Sequence, residues 1–177
     1  MKRCKLLLMT LFIIGVTHAQ TVPVDTAVAS ANLKSSAQKM VKLFVAKDYT
    51  EYVKYIHPKV ITMAGGRDKM IGLIKTSLKQ IADQGLSIQD LTIGDSLRIT
   101  IAKSGLQSVV TEILELKTKD GRLKATSYLI ATSADKGKTW YFIDTGGKTL
   151  ADMKTKFPSL GDDLIIPEKK TPVFFHD

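Results

Sequence analysis

Cysteine is all but missing: the 177-residue chain has one, Cys4, and a lone thiol forms no internal disulfide. Histidine is nearly as scarce, with His18, His57 and His176 too far apart for the paired spacing of a helical zinc site. Nor do the acids gather into the dense oxygen cage that calcium requires, so no metal and no cofactor is expected. Serine-hydrolase, Walker and dinucleotide motifs are absent as well, and Gly65-Gly66 reads as a turn rather than a phosphate cradle. No apolar run reaches the roughly twenty residues of a membrane-spanning helix.

What is present begins with an address. A basic start (Lys2, Arg3, Lys5), an apolar run from Leu6 to Val16 and the small-residue end Thr17-His18-Ala19 stand in the order of a secretory signal peptide. Cleavage after Ala19 is expected, with a mature chain that starts near Gln20 and works in a periplasm or outside the cell. A lipoprotein would need a cysteine at the cleavage point, and Cys4 lies ahead of the apolar run. Losing the leader removes the only thiol, so a hydrophobic core alone must hold the fold. The remaining ~158 residues suffice for one such core. It also removes Lys2, Arg3 and Lys5 but no acid, lowering the formal net charge from +9 to +6. The remaining lysines, such as Lys34, Lys39, Lys42, Lys75 and Lys79, are interleaved with apolar residues along helical segments. That spacing describes solvated helix faces, not a nucleic-acid surface.

Periodicity places the elements. Leu33, Ala37, Met40, Val41, Phe44 and Val45 form one stripe of a long helix within Asp25 to Ala46. A short second helix is capped by Asp48, buries Tyr49, Tyr52, Val53 and Ile56, and ends at Pro58. Val60 to Met63 reads as a short strand. Asp68 then caps a third helix, with Met70, Ile71, Ile74, Leu78 and Ile81 inward and Gly85 as a left-handed stop. Beyond Gly85 the apolar period becomes two. Strands are expected around Leu97–Ile101, Gln107–Lys117, Leu123–Thr132 and Thr139–Thr145, with turns at Ser104-Gly105 and Lys119-Asp120-Gly121. Connections this short make the sheet antiparallel. A last helical turn carries Leu150, Met153 and Phe157, and the tail from Pro158 is either an extended docking arm or disordered. The organisation is thus a leader (1–19), a short segment (20–24), one α+β domain (25–157) and a tail (158–177).

A long helix, the run Asp48-Tyr49 through His57-Pro58, Gly66-Arg67-Asp68 opening a third helix, and then a hairpin-rich sheet resemble the NTF2-like superfamily, which includes SnoaL-like and ketosteroid-isomerase-like proteins. The resemblance spans residues 25 to about 157. It implies a curved antiparallel sheet wrapped as a cone around three N-terminal helices, with a pocket at the open end. Superfamily members include isomerases, dehydratases and non-catalytic binders, so the fold alone names no activity.

Several residues carry chemistry within this frame. Glu112 lies in the apolar stretch Val109–Leu114, in alternation with Val110, Leu114 and Leu116; on an inner face it would be desolvated, raising its pKa toward that of a general base. Asp144 ends the Tyr141–Asp144 segment and either joins Glu112 or hydrogen-bonds the Thr145-Gly146-Gly147 turn. Tyr128 offers a phenol for enolisation or dehydration, or is a half-buried sheet aromatic. His57 serves as acid or base, or caps helix carbonyls before Pro58. Ser133, Asp135, Gly137, Thr139 and Trp140 match a single Asp-box; with one copy and no room for a propeller, it reads as a hairpin staple, the alternative being sugar binding through Trp140.

Two main functions compete. One is a non-enzymatic exported domain binding a small apolar ligand, or a protein partner, in a pocket lined by Phe44, Tyr52, Met63, Met70, Glu112 and Tyr128, with Met40 nearby. The other is an isomerase or dehydratase, which requires Glu112, Tyr128 and Asp144 to face one cavity. A third possibility, an assembly subunit forming a homodimer through its sheet, requires an apolar outer sheet face.

Overall fold

A computed structural model describes residues 25–94 and 98–176. The predicted leader, the segment after it and Leu97 lie outside the described residues.

Helix α1 (Thr26–Val45) starts at Asp25, whose carboxylate accepts the amides of Ala27 and Val28 at 3.0 and 3.1 Å and so satisfies two of the orphan donors of the first turn. Its stripe of Ala29, Leu33, Ala37, Met40 and Val41 is buried, and the three- and four-residue spacing of these positions keeps them on one face. They pack against Leu91, Leu106, Val110, Leu129, Ala131, Trp140 and Phe142 of the sheet region. Truncating fully buried Leu33 to alanine would cost about 2–5 kcal/mol.

Between α1 and the sheet lie α2 (Tyr49–Tyr52), α3 (Pro58–Met63) and α4 (Arg67–Asp83). Asp48 caps α2 through the amide of Glu51. Pro58, expected to end this helix, instead opens the next one from its first turn, where its missing N–H costs nothing and its fixed φ suits the helix. Val60–Met63 is therefore helical, not a strand, and four helices precede the sheet among the described residues, not three. Ile56, assigned from sequence to α2, forms a parallel bridge with Phe142. Asp68 sits in the first turn of α4 but does not cap it; Gly66 holds the cap position without a side-chain bond. Gly85 adopts φ +75° after α4, as a left-handed stop requires.

The domain is α+β, with an open six-stranded antiparallel sheet made of β1 (Ser87–Ile93), β2 (Thr100–Ala102), β3 (Gly105–Lys117), β4 (Gly121–Ser133), β5 (Tyr141–Asp144) and β6 (Val173–His176). Its spine is the β3–β4 hairpin, paired continuously from Leu106↔Ser133 to Lys117↔Arg122. The outer edge of β3 is shared by β2 at one end and β1 at the other. The outer edge of β4 is shared by β5 and β6 in the same way.

The second sheet face has its own core. Ile130 and Ile143 pack there with Met153, Phe157, Leu160 and Leu164, contributed by α5 (Leu150–Lys156) and the segment after it. The tail is thus a docked arm: buried Gln107 accepts the Gly161 amide at 2.9 Å and donates to the Ser159 carbonyl at 2.9 Å, and β6 ends the arm on β4. The core accordingly runs past residue 157 into the arm.

Candidate functional site

Sheet register decides which candidates meet. Glu112 stands opposite Ser127, and Leu129 opposite Asp144. Since successive residues of a strand alternate in face, Glu112, Ser127, Leu129 and Asp144 share the α1-facing side with Val110. Tyr128, opposite Thr111, points to the other face and is 4 % exposed. The expected Glu112–Tyr128–Asp144 cavity is therefore not assembled.

The tyrosine that shares a groove with the carboxylates is Tyr52, from the last turn of α2. Tyr52, Glu112 and Asp144 line one groove with Phe44, Met70, Ile74, Leu78, Ile81, Ile88, Leu91 and Leu114, enclosing about 350 Å³. The Phe44 and Tyr52 rings pack at 5.2 Å between centroids, tilted by 54°. Of the residues expected to line a pocket, Phe44, Tyr52, Met70 and Glu112 do so. Met63 is 53 % exposed at the end of α3, and Met40 is buried under α1.

The groove exists because α4 stands off the sheet. None of its residues is buried, and its apolar face, Met70, Ile74, Leu78 and Ile81, forms one wall of the groove while Leu91, Glu112 and Leu114 of the sheet form the opposite one. The groove continues past Phe44, Leu78, Ile81 and Ile88 into a second lobe of about 430 Å³, bounded by Lys47, Tyr49, Lys75, Lys79 and Leu86.

Electrostatics at the inner end follow from this enclosure. Burial pushes the Glu112 carboxyl above its usual range; the hydrogen bond from the Ser127 hydroxyl, 2.9 Å to Oε2, opposes this, and the nearby charge of Asp144 reinforces it. Burial also raises the Tyr52 phenol, and the charges of Glu112 and Asp144 raise it further, so Tyr52 keeps its proton and remains a hydrogen-bond donor. Asp144 is exposed and accepts the Gly146 amide at 2.8 Å, the turn-binding role foreseen for a strand-end aspartate. It does this while lining the groove.

His57 is placed elsewhere. It is not a C-terminal carbonyl cap but the N-cap of α3, its Nδ1 accepting the Lys59 amide at 3.1 Å. Its ring meets Phe157 edge-on at 5.6 Å. Burial and the neighbouring Lys59 charge lower its pKa, keeping it neutral and available as that acceptor.

The Asp-box residues form a closed staple. The Asp135 carboxylate accepts from the Ser133 hydroxyl and the amides of Lys138 and Thr139, at 2.8, 3.1 and 2.8 Å. Burial alone would push its pKa up, but these bonds from Thr139, Ser133 and Lys138 outweigh it and hold the group at about 2. Gly137 has φ +84° and gives its carbonyl to both the Trp140 indole and Asn32 of α1, each at 3.1 Å. Trp140 is 2 % exposed, so its ring packs in the core and presents no stacking face to a sugar.

Among the described residues no cluster of three or more His, Cys, Asp or Glu is placed to hold a metal ion, and no helix is long and apolar enough to cross a membrane. The chain matches no family model and no curated protein.

Proposed function

We propose that this is an exported, non-enzymatic protein of the NTF2-like kind that binds a small, largely apolar ligand between α4 and the sheet. One observation carries the reading: α4 turns a full apolar face toward the body of the domain yet buries none of its residues, because a groove and not a packed core lies beneath it. Interiors are normally close-packed, so an apolar wall left standing over open space is the arrangement that an apolar guest completes. The helix-rich first half followed by a meandering sheet supports the NTF2-like assignment, and the order of residues 1–19 supports export.

The test is binding of an environment-sensitive apolar dye, compared with the Leu78→Arg variant. Leu78 borders both lobes and is only half-buried, so the variant should keep the parent's circular dichroism while binding dye at least ten-fold more weakly. Absence of dye binding to the parent, or equal binding by the variant, sinks the proposal.

A second reading, an isomerase or dehydratase with Glu112 as base, draws support from the raised Glu112 carboxyl beside Tyr52. It is the weaker one, since its expected donor, Tyr128, is on the far side of the sheet. Homodimerisation through the outer sheet face is weaker still, since α5 and the C-terminal arm cover Ile130 and Ile143 on that face.

A further inference from the structure

The two lobes of the groove are one apolar trough: Phe44, Leu78, Ile81 and Ile88 border both. Their charges are segregated. Lys47, Lys75 and Lys79 line the outer lobe with no acid among its lining residues; Glu112 and Asp144 line the inner lobe with no base. Lys79 is engaged by Asp83, Nζ to Oδ2 at 2.7 Å. Lys47 and Lys75 form no ion pair with any other described residue.

Three of the last four carbonyls at each of the two helix ends near the outer lobe are already engaged. At the close of α1 the carbonyls of Lys42, Leu43 and Phe44 are taken by the amides of Ala46, Asp48 and Lys47; at the close of α4 those of Gln80, Ile81 and Ala82 are taken by Gln84, Leu86 and Gly85. No unsatisfied carbonyl is therefore left at these positions to repel an anion. At the inner end Asp144 already holds the Gly146 amide, and Glu112 holds the Ser127 hydroxyl.

Building on the reading of the groove as a ligand site, we propose that its occupant is an amphiphilic monoanion, bound with its acidic head at Lys47 and Lys75, its apolar body along Phe44, Leu78, Ile81 and Ile88, and an uncharged hydrogen-bonding end at Glu112. Reversing the ligand would set its anion against two carboxylates. A purely apolar guest would leave Glu112 and the lysines unused. The lobes, at about 430 and 350 Å³, fall in the ~300–1,000 Å³ range of small-molecule pockets.

Affinities of dodecanoate, dodecanol, dodecyltrimethylammonium and 12-hydroxydodecanoate, each below its critical micelle concentration, test this by calorimetry or dye displacement on the purified protein. Dodecanoate should bind about ten-fold tighter than dodecanol, a difference of about 1.4 kcal/mol, and the preference should shrink as salt rises. In a Lys47→Ala/Lys75→Ala double variant the preference should fall to two-fold or less, with dodecanol binding unchanged. The hydroxylated acid should bind at least as tightly as dodecanoate, and lose that standing in Glu112→Leu. Equal binding of acid and alcohol, or tightest binding of the quaternary amine, overturns the inference while the apolar-ligand function stands. Failure of all four to bind overturns both.

Discussion

Replacing Gly137 with alanine should be among the most damaging single-methyl changes this chain can undergo. Two separate costs add. The residue sits at φ +84°, where an L side chain costs about 1–2 kcal/mol. The new Cβ would also stand 2.5 Å from Ala29 Cβ and 2.9 Å from Ala29 Cα. Neither is the loose end of a flexible side chain, so α1 or the hairpin must move, an overpacking penalty of about 1–3 kcal/mol. The sum, about 2–5 kcal/mol, is a large part of a typical 5–15 kcal/mol stability. In a domain of this size each kcal/mol lowers Tm by about 2–4 °C, so a fall of about 4–20 °C is expected. Gly146→Ala is the control: φ is +57° and nothing lies within 4 Å of the added Cβ, leaving only the conformational cost and a fall of about 2–8 °C. Thermal unfolding followed by circular dichroism and by Trp140 fluorescence separates the two. If Gly137→Ala melts within 3 °C of the parent, or together with Gly146→Ala, then the hairpin is not clamped against α1 as described.

Glu112→Gln should raise stability at pH 7.5 and leave it unchanged near pH 4. The folded pKa lies above the unfolded one, so the native state binds the extra proton, and stability declines as pH climbs from the unfolded toward the folded value. Glutamine keeps an acceptor for Ser127 without that decline; a variant less stable than the parent at pH 7.5 contradicts the enclosure of Glu112. Gln107→Ala removes the side chain that holds Ser159 and Gly161. Residues 159–170 should then be cut at least ten-fold faster in limited proteolysis while α1 and the β3–β4 hairpin stay protected; an unchanged cleavage rate would mean that the arm is held by its apolar residues alone.

Much of this architecture is legible in the residues. The stripe in α1 and the alternation in β3 and β4 are long and regular, and the Asp-box states its own hydrogen bonds. The failures have physical causes. Val60–Met63 is a β-branched run too short to show a period, and Pro58 reads as a stop or a start with equal ease until its neighbours are placed. Glu112 and Tyr128 were expected to converge, but a face depends on the parity of the pairing: one residue of register separates Tyr128, opposite Thr111, from Ser127, opposite Glu112. Tyr52 was expected as pocket lining, yet its meeting with Glu112 and Asp144 required the docking of α2, which no spacing encodes. The apolar pattern of α4 is the same whether a helix covers a core or roofs a groove. Only the stand-off of α4 distinguishes the two.

The way two short strands divide each flank of the β3–β4 hairpin also bears on what its edges offer to another chain. A thirteen-residue strand with a bare side is a template for another chain. Here β1 with β2, and β5 with β6, pair with the two ends of each long strand, so the outermost strands run to only seven, three, four and four residues. β1 is further broken by a register shift between Ile88 and Asp90. The outer side of β5 is taken in turn by the chain at Tyr55 and His57, through the Phe142 amide and carbonyl. The perimeter is thereby cut into short, irregular lengths, and each offers a neighbouring strand fewer backbone groups than either thirteen-residue strand would.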